Sequence, residues 1–243
     1  MIGIVAIAMA APALAQDKKE GAPQIIALAP VYLTAGETTV LRFRGNKLKE
    51  VTEVRVTPEA SATVKEKKDA TVANGLEAKE VGNTEVSIEL TPPAECTKVS
   101  VELVTPTGTT GLREIPVFAK DATGAEKEPN NGFREAQPLD LAKPVAGKID
   151  GDKDVDVFRF DAHAGRPFTV RVIASEAGSL LDPFVSLHEP NGRLLATADD
   201  TGAKQDPTFI FTPKTDGPVC LVIADAHDRG GQWHGYRLEV SQP

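Results

Sequence analysis

Apolar and polar residues alternate in steps of two along most of this chain, a spacing that predicts strands with one buried and one solvated face. Thr39, Leu41 and Phe43 alternate with Val40, Arg42 and Arg44 before Gly45-Asn46 turns the chain, and Val54 and Val56 continue the pattern. Val86, Ile88 and Leu90 alternate with Glu85, Ser87 and Glu89; Val99, Val101 and Leu103 alternate with Ser100 and Glu102. A Thr105-Pro-Thr-Gly108 turn then leads into a last strand, Leu112 to Phe118. About seven short strands in about a hundred residues predict an immunoglobulin-like sandwich over residues 22–118. Within it, the charge run Lys65-Glu-Lys-Lys-Asp69 reads as a solvated loop.

Residues 119–127 are small, polar and without apolar period, which predicts a linker. A second block, residues 128–241, carries eight further expected strands. They are Val145–Ile149, Val157–Asp161, Phe168–Ile173, Phe184–His188, Leu194–Ala198, Thr208–Thr212, Val219–Ala224 and Tyr236–Val240. Turn residues stand at the joints, as in Pro190-Asn-Gly192 and Asp216-Gly-Pro218. Eight strands predict a jelly-roll-like sandwich. The expected fold is thus all-β, with two β-sandwiches in series.

Composition sharpens this picture. The 243 residues are 41% hydrophobic but only 5% aromatic, so the cores must rest on Val, Leu, Ile and Ala. The net charge of −8 is unevenly shared: residues 17–120 carry −1 and residues 121–243 carry −7. The second half should repel nucleic acid and anionic lipid and attract cations. Met1 to Ala15 is an uncharged apolar run ending in Ala13-Leu14-Ala15, which predicts a signal peptide cleaved before Gln16. The mature chain is expected to be secreted, periplasmic or at the cell surface, with no membrane insertion. Cys96 and Cys220 fall in different blocks; they could staple one to the other, but read rather as small buried residues.

Candidate chemistry concentrates at the start of the second block. Pro129 pushes Glu128 towards an extended conformation, and residues two apart in an extended chain point the same way. Glu126 and Glu128 therefore present two carboxylates to one side, with Asn130 and Asn131 in the turn that follows. In Asp150-Gly-Asp-Lys-Asp-Val-Asp-Val-Phe-Arg-Phe160, Phe158 and Phe160 should face the core because Arg159 should not. Asp156 shares their parity and points inward, with Asp154 and Asp152 on the same face further out. A buried carboxylate needs hydrogen bonds or a cation. If these groups meet, each close like-charge pair costs about 4 kcal/mol at an effective dielectric of 20. Oxygen-rich acidic clusters suit a hard cation such as Ca²⁺, although Val155 stands where an EF-hand loop needs glycine. The alternative is a solvated acidic turn in which Asp156 caps backbone N–H groups. Asp199, Asp200 and Asp206 form a second acidic loop that reads as turn chemistry. His227 and His234 bracket a Gly-Gly loop at a spacing that fits no established metal pattern. The chain shows no Gly-x-Ser-x-Gly elbow, His-Glu-x-x-His, phosphate loop or dinucleotide fingerprint, so no catalytic residue is assigned.

An ordered set of short motifs carries a resemblance across the second block. It runs Glu128-Pro-Asn-Asn131, Gly147-Lys-Ile149, Asp154-Val-Asp156-Val-Phe158-Arg-Phe160, Leu181-Asp-Pro183, Asn191-Gly192, Asp216-Gly217, Ile223-Ala-Asp225 and Tyr236-Arg-Leu238. In this order the motifs resemble a bacterial pre-peptidase C-terminal domain, related to collagenase collagen-binding domains. Pro30-Val-Tyr-Leu-Thr-Ala-Gly36 and Arg44-Gly-Asn-Lys-Leu48 resemble an Ig-like domain of the IPT/TIG kind. The first resemblance implies Ca²⁺ bound by Glu126, Glu128, Asn130, Asn131, Asp154 and Asp156. It departs at Val219-Cys220, where an aromatic is usual, and no peptidase is expected within residues 1–127. The functional expectation is a secreted, non-catalytic binding or accessory module for an extracellular protein or polysaccharide. The alternatives are a structural interaction protein at the cell surface or periplasm, or an accessory domain of a secreted hydrolase system.

Overall fold

The computed structural model describes residues 21–73 and 76–242. The expected signal peptide, residues 1–15, lies outside them. Nine strands build the N-terminal half: β1 (Gln24–Ala29), β2 (Leu33–Thr34), β3 (Thr39–Asn46), β4 (Glu53–Thr57), β5 (Ser61–Asp69), β6 (Thr84–Thr91), β7 (Lys98–Thr105), β8 (Gly108–Thr109) and β9 (Arg113–Phe118). They form two sheets, β1-β3-β6-β5 and β2-β9-β7-β4, with β8 paired to β7. Leu41, Phe43, Val86, Ile88 and Leu90 of one sheet meet Val99, Val101, Leu103 and Ile115 of the other, as the alternation requires.

Two elements here differ from expectation. Strand β1 was hidden in Ile25-Ile-Ala-Leu-Ala29, a run without alternation whose register slips between Ile25 and Ala27. Residues 65–69, expected as a loop, are the outer half of β5, an edge strand paired with β6. Exposed lysines suit such an edge because their charge discourages pairing with another chain.

Ten strands build the C-terminal half. They are β10 (Gly124–Ala125), β11 (Gln137–Pro138), β12 (Val145–Lys148), β13 (Val155–Ala162), β14 (Phe168–Ile173), β15 (Pro183–His188), β16 (Leu194–Ala198), β17 (Thr208–Phe211), β18 (Gly217–Asp225) and β19 (Gly235–Ser241). The sheets β10-β12-β19-β14-β17 and β11-β13-β18-β15-β16 face each other across a separate core. Phe158, Phe160, Val185, Leu187, Leu221 and Ile223 pack there against Phe168, Val170, Val172, Tyr236, Leu238 and Val240. Phe160 meets Phe168 edge-on at 5.1 Å.

The chain changes sheets between β10 and β11. Strand β10 pairs with β12 in one sheet and β11 with β13 in the other, so residues 126–136 cross the end of the sandwich. The halves also touch. Leu28 N–H donates to Gly178 O at 2.9 Å, Ala177 packs on the N-terminal core, and the Arg237 guanidinium lies 4.4 Å from the centre of the Phe118 ring. A side chain at Gly178, where φ is +93°, would collide with Arg113. Cys96 and Cys220 are both free thiols. No helix among the described residues is long and apolar enough to cross a membrane.

Candidate metal centre

The site forms where the crossover passes the start of β13. Two backbone bonds fix the crossing segment: Glu126 N–H donates to Ala146 O of β12 at 2.9 Å, and Val157 N–H donates to Asn130 O at 2.9 Å. Gln137 closes the loop, accepting from Lys127 N–H at 2.7 Å and donating to Ala125 O at 3.0 Å. Glu126 and Glu128 are thereby held over Asp156, and a carboxylate oxygen from each of the three lies within 4.8 Å of the others.

Asp156 is fully buried because its strand alternates inward at Asp156, Phe158 and Phe160, as the parity of Arg159 predicts. Its Oδ2 accepts a 2.6 Å hydrogen bond from the Tyr236 hydroxyl. Its Oδ1 is buried without any partner. Desolvation pushes the Asp156 pKa up to about 8; the Tyr236 bond opposes this, and the charges of Glu126, Asp154 and Glu128 add to it. Burial, then Asp156 itself, drives the Tyr236 hydroxyl well above its ordinary value. Glu126 is also raised, first by desolvation, against which Lys148 N–H donates to its Oε2 at 3.3 Å.

The remaining expected residues complete the ring. Asn130 is fully buried, donating from Nδ2 to Glu126 Oε1 at 3.1 Å and from its backbone to Glu128 Oε2 at 3.0 Å. One amide position of Asn131 stands 3.1–3.3 Å from Val155 O, Glu128 Oε2, Asp154 Oδ1 and Asn130 Oδ1. A nitrogen there donates into this ring of oxygens, whereas an oxygen there joins it. Asp154 accepts from Asp150 N–H through Oδ2 at 2.6 Å, leaving Oδ1 beside Asn131. All six expected residues therefore gather at one place. An all-oxygen set with one buried, unpartnered carboxylate oxygen fits a hard divalent cation. The expected alternative fits less well, since no backbone N–H reaches Asp156 Oδ1.

Sequence reasoning left out Tyr236 as a site residue, although it shares the inward parity of Leu238 and Val240 on β19. It also left out Gly147, where a Cβ would overlap the Tyr236 hydroxyl. A glycine inside a strand signals such a close approach.

The second acidic loop divides. Asp206 is buried, and its carboxylate accepts from the backbone N–H groups of Ala174, Ser175 and Glu176 at 2.8–3.1 Å. These N–H groups lie about thirty residues earlier in the chain, so Asp206 caps a distant turn and not the local Asp-Asp-x-Gly turn that the sequence suggests. Asp199 and Asp200 instead stand with Asp182, one carboxylate oxygen of each within 4.8 Å of the others. His227 Nδ1 lies 3.5 Å from Asp182 Oδ2, while His234 is buried with its Nδ1 unpartnered. Burial depresses the His234 pKa.

No family model matches this sequence. No curated protein matches it either. Among solved structures, it is similar to a pre-peptidase C-terminal domain of collagenase from Bacillus anthracis (18% identity, 44% of this chain and 94% of that one, TM-score 0.34). It is also similar to the secreted serine protease VesC from Vibrio cholerae (13%, 87% of this chain, TM-score 0.31), of which it spans 48%. A third likeness is to a Bacteroides ovatus mixed-linkage glucan utilization protein, SGBP-B (9%, 86% of this chain and 72% of that one, TM-score 0.27).

Proposed function

We propose that this chain is an extracellular, non-catalytic binding or accessory module whose C-terminal sandwich holds a Ca²⁺ ion. Glu126, Glu128, Asn130, Asn131, Asp154 and Asp156 supply the oxygens. The observation that carries the reading is Asp156 Oδ1, buried and unpartnered beneath two further carboxylates. An ion turns the mutual repulsion of these groups into ligation and pins the crossover to both sheets. No reaction is assigned to the site. Its partner is an extracellular protein or polysaccharide; a net charge of −7 over residues 121–243 disfavours nucleic acid. The contacts of Leu28 with Gly178 and of Arg237 with Phe118 favour a second, structural role as a stiff spacer.

Calorimetric titration of chelator-treated protein with CaCl₂ tests the reading. Saturable heat and a raised melting temperature are expected, with about 2.7 kcal/mol of stabilisation at a hundredfold excess over Kd. Both responses should vanish in Asp156→Asn. No heat and no melting shift at millimolar Ca²⁺ would reject the site.

A further inference from the structure

At the end of the C-terminal sandwich, the β15–β16 turn and the β17–β18 turn enclose a cleft of about 520 Å³. Its size falls within the range of small-ligand sites, about 300–1,000 Å³. Strands β16 and β17 are the outer strands of their two sheets, so the sandwich is open here and its core shows through. Leu195, Phe211 and Val219 form an apolar floor, continued by Leu194, which is 54% exposed.

The walls are polar and balanced in charge. On one side stand Thr212, Lys214 and Thr215, all exposed and without a side-chain hydrogen bond among the described residues. On the other, Arg193 donates from Nε to Glu189 Oε2 at 2.8 Å, and its second bond to the same carboxylate holds the pair flat. Asp216 offsets Lys214, so the four charged lining residues sum to zero on a half that otherwise repels anions. An exposed polar rim around an apolar floor, without net charge, matches a ligand with a C–H face and many uncharged hydroxyls.

Pairing with an added polypeptide strand is poorly served here. The Thr201 hydroxyl accepts from Thr208 N–H at 2.7 Å and contacts Thr208 O at 3.4 Å, covering the start of the β17 edge. The β15–β16 ladder slips register between Leu187 and His188, which distorts the neighbouring edge. Recognition must run through side chains.

We infer that this cleft binds an uncharged oligosaccharide segment, stacked on Leu194 and Phe211 and hydrogen-bonded by Thr212, Lys214, Thr215 and the Arg193–Glu189 pair. The inference rests on the reading of the chain as a binding module, and names the site and ligand class. It is tested by NMR titration of the Ca²⁺-supplemented full chain with cellohexaose, xylohexaose and mannohexaose. Oligogalacturonate serves as the anionic probe and a triple-helical (Pro-Pro-Gly)₁₀ peptide as the protein probe. Saturable amide shifts at Leu194, Lys214 and Thr215 are expected with at least one neutral hexasaccharide. Leu194→Glu and Lys214→Ala, both at exposed positions, should each weaken that binding at least fivefold, whereas Lys65→Ala, exposed on the other sandwich, should leave it within twofold. Tighter binding of the peptide or the anionic probe at these residues overturns the saccharide class while sparing the module reading. Absence of shifts there with every neutral probe overturns the site itself, and the calcium response in the same sample reports separately on the cation reading.

Discussion

The two sandwiches share an architecture and handle buried charge in opposite ways. In the N-terminal one, Arg44 is buried beside Glu85 at 3.3 Å, and its guanidinium also donates to Val81 O at 2.6 Å, Thr71 O at 2.6 Å and Gly82 O at 3.3 Å. Charge is paired and the donors are spent on carbonyls. In the C-terminal one, Asp156 is buried more completely, has only the neutral Tyr236 hydroxyl as donor, and faces further carboxylates instead of a cation. A buried ion that is paired and hydrogen-bonded serves the fold, while one left incomplete marks a place that a proton or metal must complete. The contrast lies in the partners brought by tertiary packing, since both sandwiches are built from the same alternation.

Acidity separates the two most sharply. In chelator, Asp156 holds its proton in the folded state up to pH about 8 but in the unfolded state only to its ordinary value of 3.8. The folded state therefore binds more protons across that window, and stability should be greatest below it and fall as pH rises through it. The loss from this group approaches about 1.4 kcal/mol per pH unit. Saturating Ca²⁺ should flatten the slope, and calorimetry near pH 7 should register about one proton released per ion. A melting temperature that climbs steadily from pH 4 to 8 in chelator would contradict this.

Breaking the satisfied pair comes next. Arg44→Ala leaves buried Glu85 with only Lys68, at 3.7 Å, as a cationic partner and should cost up to about 3–5 kcal/mol in denaturant unfolding, with no change in the calcium response. A loss below 1 kcal/mol would show that the pair does not hold its sheet. Tyr236→Phe removes one buried hydrogen bond and should cost about 1–2 kcal/mol without Ca²⁺. It should also move the acid dependence to still higher pH, because the Tyr236 bond lowers the Asp156 pKa. An unchanged pH profile would detach Tyr236 from the site. The smallest effect belongs to the β5 edge: Lys65 pairs with Glu89 at 3.1 Å on the surface, and Lys65→Ala should shift stability by less than about 0.5 kcal/mol. A larger shift would mean that edge charge does more than guard against pairing.

Much of the site was readable in one dimension. Arg159 between Phe158 and Phe160 sets the parity that sends Asp156 inward, and the acidic run before Pro129 placed the other oxygens nearby in sequence. Strand β5 was missed because its lysines look like a loop until β6 is there to pair with it. Asp182 was missed because Asp199 and Asp200 reach it only through the pairing of β15 with β16 and β18.

Alternation along the chain thus decided which side chains face inward, since successive residues of a strand point to opposite faces whatever lies beside them. Packing alone decided what those faces meet. Tyr236 reaches Asp156 from 80 residues away, Gly147 makes room for its hydroxyl, and the crossover lays Glu126 and Glu128 above. How strongly a carboxylate is desolvated, and whether its second oxygen finds a donor, depends on groups that only the folded chain brings together.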